Sequence, residues 1–92
     1  MLDKNCIFTD YLKYRCELRG FSLTQIEQIL RYSQERYFDT ETQRIIVIGE
    51  QGNQLVMIPY EETATEIIPV TIHATTRQQT KFRLTTGRLI YE

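Results

Sequence analysis

The chain has 92 residues, a quarter of them charged, with 11 Lys and Arg against 12 Asp and Glu and a formal net charge of −1. That length suits one domain with one modest core and excludes a second domain or a deep multi-substrate pocket. There is no low-complexity tract, and the longest apolar runs, residues 45–48 and 55–58, are far too short to span a bilayer. No charged-then-apolar leader pattern opens the chain, so the expectation is a cytoplasmic protein with a single domain over residues 1–92 and no membrane association.

Thr9 or Asp10 can cap a first helix that runs to about Arg19, where Gly20 offers the left-handed backbone favoured at helix C-termini. Ser22 and Gln25 form an S-x-x-Q capping box, and Leu23, Ile26, Ile29 and Leu30 trace one apolar stripe, which predicts a second helix ending near Gln34. Tyr37 and Phe38 suggest a first strand within residues 35–40. Residues 44–49 and 54–60 are rich in β-branched and apolar side chains and flank Glu50-Gln51-Gly52-Asn53, the pattern of a hairpin. A third strand is expected over residues 66–72, giving an antiparallel meander with the helices packed on one face. Pro59 and Pro69 belong at strand ends, bulges or an edge, because neither donates a ladder hydrogen bond. Residues 75–86, followed by Gly87, read as a capped helix, while Lys81-Phe82-Arg83-Leu84 alternates as a hairpin strand would; the helix is the favoured reading. The predicted class is α+β: two N-terminal helices, a central antiparallel sheet of three to four strands and a C-terminal helix.

Charge is distributed unevenly. Residues 70–91 carry His73, Arg77, Lys81, Arg83 and Arg88 and no Asp or Glu, while the chain before them is net acidic. An asymmetry of this kind suits a surface that holds an anion, with RNA the first candidate. Cys6 and Cys16 stand in no C-x-x-C pair, and His73 is the sole histidine, so two free thiols are expected and neither a metal site nor a cofactor is. No phosphate-binding glycine loop, G-x-S-x-G elbow or H-E-x-x-H helix is present.

Arg15-x-x-x-Arg19-Gly20-Phe21-Ser22, followed by an Ile-Glu-x-Ile-Leu helix, resembles the R-x-x-x-R-G-I-S signature of small bacterial domains placed near the BrnT and RelE-like toxins. Arg44-Ile-Ile-Val-Ile-Gly49 and Leu55-Val-Met-Ile-Pro-Tyr60 are similar to the two central strands of BrnT proteins, and Thr71-Ile-His-Ala-Thr-Thr-Arg77 lies where those proteins carry S-A-R-K-A-T-R. The chain departs from them where His73 and Ala74 replace arginine and lysine, where Tyr11 replaces a histidine, and in its near-neutral charge. The resemblance implies a RelE-like microbial ribonuclease fold, a bacterial toxin–antitoxin setting, and an antitoxin protein that covers the active face.

Cleavage of RNA through its own 2′-hydroxyl needs a base, a proton donor for the leaving oxygen and cations around the phosphorane. His73 is the natural proton-transfer group, with Arg77, Lys81 and Arg83 as its catalytic companions. Arg44, Tyr60, Arg88 and Tyr91 are the candidates for RNA contact, with Tyr60 as a stacking platform and Lys81 or Tyr91 as a second proton-transfer group. The bland alternatives are a structural strand histidine, solvated or ion-paired arginines, a core tyrosine, and an Arg19 that satisfies helix-end carbonyls. The leading expectation is a metal-independent endoribonuclease acting on mRNA, free or at the ribosome. Its rivals are a non-catalytic domain of the same fold that binds a protein partner or itself as a homodimer, and an RNA-binding module without cleavage.

Overall fold

A computed structural model describes residues 4–92. The elements run β1 (Asn5–Cys6), α1 (Asp10–Arg19), α2 (Leu23–Tyr32), β2 (Arg36–Asp39), β3 (Arg44–Gln51), β4 (Gln54–Glu62), β5 (Glu66–Pro69), β6 (His73–Thr75), α3 (Arg77–Thr85) and β7 (Leu89–Tyr91). The fold is α+β, with two N-terminal helices, a mixed seven-stranded sheet and a C-terminal helix. Among the described residues no helix is long and apolar enough to cross a membrane.

Local chemistry sets the helix ends. The Thr9 hydroxyl accepts from the Leu12 N–H at 3.2 Å, and Ser22 does the same for Gln25 at 3.4 Å. Gly20 adopts φ 71°, which turns its own N–H onto the Glu17 carbonyl and that of Phe21 onto Cys16. Two of the helix-end carbonyls that Arg19 was expected to serve, those of Cys16 and Glu17, are therefore taken by backbone donors. Thr76 caps α3 through the Gln79 N–H at 3.0 Å, so residues 77–85 are helical and the hairpin reading of this segment falls.

The sheet order is β1-β5-β4-β3-β2-β7, with β6 pairing β4 as a separate short edge. Three to four antiparallel strands were expected; the sheet has seven, and β1 runs parallel to β5. The expected third strand over residues 66–72 is shorter, because Pro69 closes β5, and the chain rejoins β4 past it as a further strand, β6, that was not expected. Strands of two and three residues such as β1 and β7 are too short to show alternation in a sequence. Pro59 fits within β4 because its carbonyl accepts from Val70, so its nitrogen faces the same side, where β4 changes partners from β5 to β6. The hairpin turn is tighter than the four residues expected: Gln51 pairs with Gln54, and Gly52 supplies φ 63°.

Period-two alternation sends side chains to two cores. Val47, Val56, Ile58 and Tyr60 face the helix pair and meet Leu12, Cys16, Ile26, Ile29 and Leu30. Ile46, Ile48, Met57, Tyr37 and Leu89 form the second cluster on the opposite face, where Leu84 of α3 packs. The helices thus lie on both faces, correcting the expectation of one. Only a glycine fits at position 49, since a Cβ there would lie 2.7 Å from Ile29 Cγ2, and α2 rests directly on β3 at that point.

Candidate functional site

The edge strand β6 places His73 between α1 and α3. Arg15 Nη2 lies 3.2 Å from His73 Nδ1. A guanidinium only donates, so Nδ1 accepts and the neutral ring carries its proton on Nε2. Partial burial and then the charges of Arg15, Arg19 and Arg83 push the His73 pKa below its usual value, and no carboxylate is among the groups acting on the ring. Helical spacing explains the grouping on α1, where Arg15 and Arg19 are four residues apart and share a face. Arg83 extends from α3 over β4, where its Nη1 contacts Met57 Sδ at 3.1 Å, a weak acceptor that leaves its charge unbalanced.

Among the described residues, none of these three arginines forms an ion pair with a carboxylate, and Arg15 Nε is buried without a hydrogen-bond partner. Cationic groups without a carboxylate partner beside a neutral imidazole are electrostatically unbalanced, and Arg15 Nε is a donor left unused. A phosphate or other oxyanion would relieve both.

Of the expected catalytic group, the structure brings together His73 and Arg83. Arg77 is held by Glu35, which also accepts from Tyr37 Oη at 2.8 Å. Lys81, exposed one turn beyond Arg77, shares its flank of α3, away from Arg83. The expected RNA-contacting residues are scattered. Tyr60 is 2 % exposed, with its hydroxyl accepting from Arg36 Nη1 at 2.9 Å and its ring 5.4 Å from that guanidinium, so it is a core residue and offers no face to a base. Arg88 is chelated by Asp39 through bonds of 2.8 and 3.1 Å and lies 3.1 Å from Glu41. Arg44 sits 3.5 Å from Glu61, close enough for charge attraction and too loosely placed to hydrogen-bond. Tyr91, 76 % exposed, packs at a tilt on Tyr37 with ring centres 5.5 Å apart. It belongs to β7, at the opposite edge from β6, and cannot serve the same site as His73.

Arg15 and Arg19 are the site residues that the charge pattern of the last quarter did not reveal. Their signal was the R-x-x-x-R spacing, in which only Arg19 carried a reading of its own, as a partner of helix-end carbonyls. Neither thiol is a nucleophile candidate: burial and the Glu27 charge push Cys6 up to about 11, and burial raises Cys16. Both cysteines are free. In comparisons with protein families, with curated proteins and with solved structures, nothing matches this chain.

Proposed function

We propose that the protein binds RNA, holding backbone phosphate at Arg15, Arg19, Arg83 and the Nε2–H of His73. The observation that supports this most is that Arg15 bonds His73 Nδ1, Arg19 stands one turn along α1 from Arg15, and Arg83 rests on Met57, the β4 partner of His73, with no carboxylate paired to any of the three among the described residues. Fork-shaped guanidinium donors match phosphate oxygens in pairs, and the Arg15 donors are already turned toward the cluster. The resemblance of the sequence to BrnT and RelE-like domains adds the nature of the anion, and it brings with it a small antitoxin partner that would cover the cluster.

Cleavage is a second reading, favoured by one observation. An imidazole kept neutral among arginines has the protonation state of a general base, beside charges suited to a phosphorane. It requires Arg15 to leave Nδ1 for the phosphate, since that bond occupies the ring's lone pair.

The test is fluorescence anisotropy of a labelled uridine-rich RNA across a salt series. Arg15→Ala/Arg19→Ala is expected to weaken binding and to lower the slope of log K against log salt by about 1.4, two phosphate contacts at about 0.7 each. Unchanged affinity and slope would overturn the proposal. Products with 2′,3′-cyclic phosphate ends that disappear in His73→Ala would establish cleavage, and intact RNA would leave binding as the function.

A further inference from the structure

α3 is inverted in one respect. Thr80 is buried, its hydroxyl bonded to the Thr76 carbonyl at 3.1 Å, while Phe82 is 67 % exposed. Packing alone would turn the aromatic ring inward. Gln79, Phe82 and Thr86 share a flank of the helix and, with Arg83, Glu41 and Arg88, line a groove of about 460 Å³. That volume is within the range of about 300–1,000 Å³ typical of small-ligand sites.

We infer that this groove takes an unpaired nucleobase stacked on Phe82, so that the RNA held at the arginine cluster is single-stranded. The inference rests on the RNA reading and adds its substrate class. Two features favour this occupant. Arg83 is common to both places: its Nη1 contacts Met57, the β4 residue paired with His73, and its side chain lines the groove, so a strand whose phosphate sits on Arg83 has its base beside Phe82. The one acid of the groove, Glu41, is neutralised by Arg88 at 3.1 Å, so the wall does not repel a phosphate. The Phe82 ring offers a stacking face to any base, and the Gln79 amide and Thr86 hydroxyl supply donors and acceptors for a base edge. Bases within a duplex are stacked on each other and cannot enter.

The experiment compares a short uridine-rich single strand with a blunt RNA duplex of equal length, using wild type, Phe82→Ala, Phe82→Trp and Arg15→Ala/Arg19→Ala. Wild type should prefer the single strand by about tenfold or more. Phe82→Ala should lose about 5- to 100-fold for the single strand and nothing for the duplex, and Phe82→Trp should retain affinity. Because Phe82 is exposed, a thermal melt should show Phe82→Ala as folded as wild type. Equal wild-type affinity for both RNAs, lost in Arg15→Ala/Arg19→Ala, would overturn the groove assignment while keeping phosphate binding. Unchanged affinity in Phe82→Ala would also overturn it and leave the exposed ring to a protein partner. Absence of RNA binding by wild type would overturn both readings.

Discussion

At the β7 edge of the sheet Arg88 is clasped by Asp39 and Glu41, whereas at the β6 edge Arg15 bonds His73, and Arg15, Arg19 and Arg83 carry no carboxylate partner among the described residues. Both edges are arginine-bearing, and in the sequence Arg83 and Arg88 stand five residues apart in one acid-free segment. What separates them is what the fold carries to each. The β2–β3 turn delivers Asp39 to Arg88, and the same carboxylate also accepts the backbone N–H groups of Glu41 and Thr42, so that arginine closes the turn. On the His73 side the elements deliver only more cations. A charge satisfied within the protein holds the structure together, and one left unsatisfied is free to hold a ligand.

The largest expected effect breaks the satisfied edge. Asp39 is 3 % exposed, and Asp39→Ala would leave Arg88 and two turn N–H groups without their acceptor. It should destabilise the fold by about 2–3 kcal/mol in urea denaturation. Burial alone would raise the Asp39 pKa, but the Arg88 hydrogen bonds and the Glu41 and Thr42 N–H groups outweigh it and hold it at about 2. A depressed folded pKa stabilises above the unfolded value of 3.8, so this contribution should fade as pH falls from about 4 toward about 2. Asp39→Asn should flatten that part of the acid-unfolding curve.

Against this, Arg83→Gln should leave stability within about 0.5 kcal/mol of wild type while weakening RNA binding, because it removes a repelled charge and no carboxylate partner. A comparable loss of stability at both edges would remove the distinction between them.

The next effect concerns His73. Its titration by NMR should have a midpoint below 6.5, which RNA should raise and Arg19→Glu should raise in the free protein. With a lowered folded pKa, the unfolded chain binds the proton more readily. The stability from His73 is therefore fully present above 6.5 and lost as pH falls through the folded value. RNA binding should run the other way, tightening as pH falls toward the lowered His73 midpoint, since the bound anion favours the imidazolium. A midpoint unmoved by RNA would place the anion elsewhere. The smallest effect is at Arg77, whose ion pair with Glu35 is largely solvated; Arg77→Ala should cost under about 1 kcal/mol and leave RNA affinity unchanged.

The sequence by itself determined the α+β class, the three helices with their caps at Thr9, Ser22 and Gly20, the central hairpin and the free thiols. These depend on interactions between residues a few positions apart, which periodicity and capping chemistry record directly. Only the tertiary structure decided the rest. Strands as short as β1, β6 and β7 exist because a neighbour holds them, and no local pattern marks them. The site was divided in the same way: Glu35 reaches Arg77 across 42 residues and Asp39 reaches Arg88 across 49, removing two expected cations, while Arg15 reaches His73 across 58 and supplies one that was not expected. Which residues carry charge is written in the sequence; which charges are balanced depends on contacts between distant residues, and the fold alone sets those.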